Sequence, residues 1–119
     1  MIQVKRAYEP PARNDGHRFL VDHLWPRGIK KGTLKVEGWV KAVSPSNELR
    51  RWFRHDPAKW KEFQRRYASE LDKKPASWKP LLQAAKAGDV TLVFGARDEE
   101  HNDAVVLREI LLRPLRGRS

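Results

Sequence analysis

The run Val90-Thr91-Leu92-Val93-Phe94 constrains the fold of this chain most. It is β-branched and aromatic, almost free of polar residues, and stopped by the small pair Gly95-Ala96, so it reads as a buried strand. Two further strand-like runs lie near the start. Ile2-Gln3-Val4-Lys5-Arg6 is ended by Pro10-Pro11 and the turn Asn14-Asp15-Gly16. Arg18-Phe19-Leu20-Val21-Asp22 is followed by Trp25-Pro26-Arg27-Gly28, where proline and glycine force a loop. The first two strands are close enough in sequence to form a hairpin-like pair.

Between the second and third strands the apolar period lengthens to that of helices. A short helix is expected over Val36 to Ala42, and another over Asn47 to Phe53, capped by Ser46. Asp56-Pro57 supplies a carboxylate cap and a proline at the first helical position, ahead of Trp60, Phe63, Tyr67 and Leu71 on one face. Ser77 starts a further helix that Gly88 stops, and a last helix runs from Asn102 to about Leu112. Short buried strands separated by helices predict an α/β fold, a small, mainly parallel sheet covered by helices. One compact domain over residues 1–112 and a basic, flexible tail over 113–119 are expected.

Composition narrows the functional classes. The chain has 119 residues and no cysteine, which removes disulfides, thiolate metal sites and thiol nucleophiles together. No apolar run reaches membrane-spanning length, and the N-terminal run has no signal-peptide core, so a cytoplasmic protein is expected. Lys and Arg number 25 against 15 Asp and Glu, a formal charge of +10. Such a surface attracts polyanions. The glycine patterns of P-loop and dinucleotide-binding proteins are missing, as is a nucleophile elbow around serine. No His-x-x-x-His or His-x-His spacing occurs, so no metal and no cofactor is assigned.

The informative polar residues fall where strands end. Arg6 follows the first strand, Asp22, His23 and Arg27 the second, and Arg97, Asp98, His101 and Asn102 the third. Open α/β sheets bind ligands beyond the carboxyl ends of their strands. An anionic small molecule is therefore expected there, held by Arg6, Arg27, Arg50, Arg97 and Asn102, since guanidinium forks and free helical N–H groups suit phosphate and carboxylate. Asp22, His55, Asp98 and His101 are the candidate acid–base groups. Each has a plainer reading as well: Asp22 capping its turn or pairing with Arg27, Asp98 capping the last helix, Arg27 stacking on Trp25, Arg6 guarding a sheet edge. The alternative partner is nucleic acid, met by Lys59, Lys61, Arg65, Arg66 and the tail. Exposed tryptophans raise the expectation of a dimer.

Four motifs in order are specific: Asp22-His23-Leu24-Trp25-Pro26-Arg27-Gly28, Ser44-Pro45-Ser46-Asn47-Glu48-Leu49-Arg50, Trp52-Phe53-Arg54-His55-Asp56-Pro57, and Ala96-Arg97-Asp98-Glu99-Glu100-His101-Asn102. They resemble the domain-of-unknown-function 488 family, in its YeaO-like branch, over Ile2 to about Leu112. The resemblance implies a small α/β protein and names no activity. The family pattern carries arginine between the aspartate and leucine of the first motif; here that residue is His23. A role needing permanent positive charge cannot rest on it.

Overall fold

A computed structural model describes residues 1–116. Strands β1 (Ile2–Arg6), β2 (His17–Leu20), β3 (Gly38–Trp39) and β4 (Val90–Phe94) form one wholly parallel sheet in the order β1-β4-β2-β3. In β4, Val90 lies opposite Ile2 of β1 and His17 of β2, and Val93 opposite Lys5 and Leu20. Helices α1 (Lys31–Leu34), α2 (Asn47–Phe53), α3 (Trp60–Asp72), α4 (Pro75–Ala87) and α5 (Asp103–Arg116) complete the chain. The α/β class with a small parallel sheet is as the sequence predicts.

Every residue of β4 is buried, because both faces of the central strand are covered. Val90, Leu92 and Phe94 face the main core with Val21, just past β2, and with Phe53, Phe63, Tyr67, Leu81, Leu107 and Leu111, contributed by α2 through α5. Val93 faces a smaller core with Leu20, Leu34 and Ala7, edged by Trp25 and Trp39. On this second face the connection from β1 to β2 crosses Thr91, whose hydroxyl donates to the Asp15 carbonyl at 2.7 Å. The buried Asp15 carboxylate accepts from Arg18 at 2.7 Å and Lys5 at 3.1 Å, and Arg18 also donates to the Leu34 carbonyl at 2.8 Å. The turn is tight at Gly16, where φ is +65° and a Cβ would stand 2.3 Å from the Asp89 carbonyl oxygen.

Four local expectations are corrected. The helix expected over Val36 to Ala42 is β3 followed by a 3-10 turn, Lys41–Val43. Glu37 and Val40 spend their N–H groups on the Arg18 and Leu20 carbonyls, at 2.7 and 2.8 Å, so edge pairing to β2 overrides the helical period. β1 and β2 do not form a hairpin-like pair, since β4 lies between them. The last helix continues to Arg116, so residues 113–116 of the expected tail are helical. Leu112 and Leu115 pack on the core and hold that final turn despite Pro114. The rest of the expected tail, 117–119, lies outside the described residues. None of the five tryptophans is exposed, which removes the feature behind the dimer expectation.

Candidate functional site

β2 ends at Leu20, so Val21 turns into the core and Asp22 stands just beyond the sheet. Its Oδ2 accepts the Gly95 N–H at 2.7 Å, which ties the end of β2 to the end of β4. The Asp22 carbonyl accepts Trp39 Nε1 at 2.6 Å, and Trp25 Nε1 closes the loop on the Ile29 carbonyl at 2.6 Å. Trp25 and Trp39 meet edge to face with centroids 5.6 Å apart. Asp22 therefore caps its turn through a backbone N–H, and no ion pair to Arg27 forms among the described residues.

A cleft of about 490 Å³ opens at this edge, within the usual size range of small-molecule sites. Its polar lining includes Asp22, His23, Arg27, Arg50, His55 and Asp103; Asn102 and Tyr8 also reach it, and Phe53 and Phe63 give it an apolar floor. Arg50 leans back from α2, where Ser46 caps the helix by accepting the Leu49 N–H. Its guanidinium donates to the Pro45 carbonyl and to Asn47 Oδ1, which fixes its place at the mouth. Arg54 and His55 follow with φ of 49° and 56°, left-handed values that non-glycine residues adopt at a cost of about 1–2 kcal/mol each. The strained pair swings His55 from α2 into the cleft.

The electrostatics are unusual for so basic a chain. Burial raises the Asp22 carboxyl, opposed by the Gly95 N–H and the His55 charge. Asp103, the first residue of α5, is pushed up to about 8 by burial and then by the Asp22 charge. With its value near 8, Asp103 keeps its proton at neutral pH. His23 is pushed down by burial and by Arg50, so it stands as neutral imidazole. The permanent cations of the cleft are thus Arg27 and Arg50.

Of the residues expected to meet at the strand ends, Asp22, Arg27, Arg50, His55 and Asn102 share this cleft. Asn102 is also the cap of α5: its Oδ1 accepts the Val105 N–H at 3.2 Å and its Nδ2 donates to the Asp98 carbonyl at 2.9 Å. Arg6, Arg97, Asp98 and His101 are not in the lining. Arg6 donates to the Ala96 carbonyl at 2.8 Å, with its guanidinium over the Tyr8 ring, and braces the end of β4. Arg97 is exposed. Asp98 accepts the N–H groups of Glu100 and His101 at 2.9 and 3.0 Å and pairs with His101 Nδ1 at 2.9 Å, which with those bonds holds its carboxyl low. His101 stands edge-on to Trp60. Sequence reasoning missed Asp103 and Tyr8. An aspartate one place after a capping asparagine reads as an ordinary first-turn residue, and Tyr8 lies in a loop without a pattern.

On α3 the expected basic face is mixed. Glu62 accepts from both Arg65 and Arg66, whose hydrogen bonds pull it down to about 2. Arg66 lies 4.3 Å over the Trp52 ring, Lys59 donates to the Trp52 carbonyl at 2.8 Å, and Lys61 is exposed. Among the described residues no three His, Cys, Asp or Glu side chains gather to hold a metal ion, and no helix is long and apolar enough to cross a membrane.

Residues 1–119 match a family model described as the inactive DUF488-N3 subclade. The chain belongs to the domain-of-unknown-function 488 family. Over 110 residues it is 41% identical to YeaO, an uncharacterised protein of Escherichia coli K12, covering 92% of this chain and 96% of YeaO. It is 39% identical over 110 residues to the uncharacterised protein Rv3073c of Mycobacterium tuberculosis H37Rv, covering 92% of each. No solved structure gives a significant match. Within this DUF488 chain, His23 lines the cleft beside Arg27 and Arg50.

Proposed function

We propose that this DUF488 protein binds a small molecule bearing a phosphate or carboxylate group in the cleft beyond the carboxyl ends of β2 and β4. One observation carries the reading: Arg27, Arg50, His55 and Asn102, expected from the sequence as anion partners or acid–base groups, line a single cavity of suitable size. Arginine donates to such oxygens in a fixed fork, and Arg50 is already held in place by the Pro45 carbonyl and Asn47. The description of the subclade as inactive favours binding over turnover. The cysteine-free composition suits a cytoplasmic setting, which is part of the same proposal.

Thermal unfolding in the presence of orthophosphate, pyrophosphate and sugar phosphates tests this. A ligand at 100 times its dissociation constant adds about 2.7 kcal/mol of stability. Arg27→Gln and Arg50→Gln should each abolish most of that gain, and Arg27→Gln leaves the free protein intact because the Arg27 side chain is exposed. Equal gains in wild type and both variants, or no gain from any anion, contradict the proposal. The nucleic-acid reading draws support from Trp52 lying against Arg66 and Lys59, a stacking and charge pairing suited to single strands. Glu62 offsets two of its four cations. Anisotropy titration of labelled oligonucleotide against salt measures it, with steep loss of affinity as the expected signature.

A further inference from the structure

The cleft contains acid as well as base, and the fold keeps the two apart. Among the described residues, Asp15 has its cations, Lys5 and Arg18, but Asp22 and Asp103 have none within ion-pair distance. Asp22 is held by the Gly95 N–H at 2.7 Å and Asp103 by the Ala104 N–H at 3.0 Å. Each uses one oxygen in this way. The second oxygen of each has no protein donor among the described residues, and neither is sealed inside the protein. Arg50 is near enough for its charge to act on Asp103, but its own bonds to Pro45 and Asn47 hold it back from a pair. Arg27 presents a second cation from the loop after β2. Asp22, Asp103 and Arg50, which could pair with one another, are instead held apart across an open cavity by local bonds. That arrangement is preorganised for a ligand that carries both signs.

We infer that the cleft takes a zwitterionic small molecule, with an ammonium or amidinium group on Asp22 and Asp103 and a carboxylate or phosphate on Arg50. The inference rests on the proposed anion site and adds the amine to it. The apolar floor of Phe53 and Phe63 suits a hydrocarbon segment between the two charged ends. The titratable and charged groups facing the acid pair are His23 and Arg27 from the loop after β2, Arg50 from α2, His55 from the turn behind it, and Tyr67 from α3. Tyr67 donates to the Val43 carbonyl, and burial pushes its phenol up, so it stays neutral. Asp103 is then the group that releases a proton when a cation arrives.

Calorimetric titration with matched probes tests the inference: L-phenylalanine, 3-phenylpropanoate and phenethylamine, then phosphoethanolamine against ethyl phosphate. The zwitterion of each set should bind at least about tenfold tighter than its amine-free partner. At pH 7 its apparent enthalpy should differ between Tris and PIPES, reporting the release of up to one proton. Asp103→Asn should weaken the zwitterion about tenfold and spare the plain anion. Asp22→Asn, which keeps an oxygen for Gly95, should do the same. Equal affinity for zwitterion and anion, with Arg50→Gln weakening both, overturns the inference and leaves the anion site standing. Binding of phenethylamine alone, indifferent to Arg50→Gln, overturns both, as does no binding of any probe at millimolar concentration.

Discussion

Asp103→Asn converts the acid pair into a stability measurement. The Asp103 carboxyl rises from an ordinary 3.8 to about 8 on folding, through burial first and the Asp22 charge second. Between those values the folded protein holds a proton that the unfolded chain has lost. The stabilising contribution is complete below about pH 4 and is lost as pH climbs through the folded value. One proton sets a ceiling of ~1.4 kcal/mol per pH unit. From pH 5 to pH 8 the ceiling is therefore ~3 to 4 kcal/mol, and sharing of the proton with Asp22 and rearrangement around the open cleft reduce the expected loss to about 2 kcal/mol. Asparagine keeps the oxygen that accepts the Ala104 N–H and cannot ionise. The margin of the variant over wild type should widen by about 2 kcal/mol between pH 5 and pH 8. Urea unfolding at both pH values reads the difference directly, with other titrating groups common to both proteins. Parallel stability profiles across that window would refute the assignment of the proton to Asp103.

Asp15→Ala should destabilise by about 3–5 kcal/mol, because it leaves the buried Arg18 guanidinium without its partner; chemical denaturation at pH 7 reads this. Burial raises Asp15, but the Ala12 N–H, Lys5 and Arg18 outweigh it, so its contribution is present above the unfolded value and is lost as pH falls through the lower folded one. Gly16→Ala should lower the urea midpoint by at least ~2 kcal/mol equivalent with an unchanged slope, since φ of +65° and the Asp89 carbonyl both oppose a Cβ. Arg27→Gln should change stability by less than about 0.5 kcal/mol, because its side chain is exposed, while weakening anion binding.

The buried strand at Val90–Phe94 and the edge strand Ile2–Arg6 were legible at full length, because continuous apolar content or proline punctuation marks them. The class followed from them. Helix α2 was equally legible, with Ser46 as its cap and Phe53 as its last residue. The region from Val36 to Val43 was not, since a two-residue strand carries no period of its own and forms only because β2 supplies carbonyls to Glu37 and Val40. The half of the site on the first motif was readable from position alone: Asp22 lies at a strand end and Arg27 in a loop stiffened by Pro26. Arg6 and Arg97 follow strands too, yet neither reaches the cleft. Arg6 turns to the Ala96 carbonyl, and Arg97 points to solvent past a turn organised by Asp98. The raised carboxyl of Asp103 was invisible, because its causes, burial first and then the charge of Asp22, distant in sequence, arise only after β2 and α5 are packed.

The most direct test of the anion-binding cleft is an amide-resolved NMR titration of the full chain with inorganic phosphate and pyrophosphate at moderate salt. Shifts should concentrate on Asp22 to Arg27, Arg50, His55 and Gly95, saturate with a single constant, and vanish in Arg50→Gln. Shifts confined to Lys59, Lys61, Arg65 and Arg66, or spread evenly over all basic residues, would contradict the account.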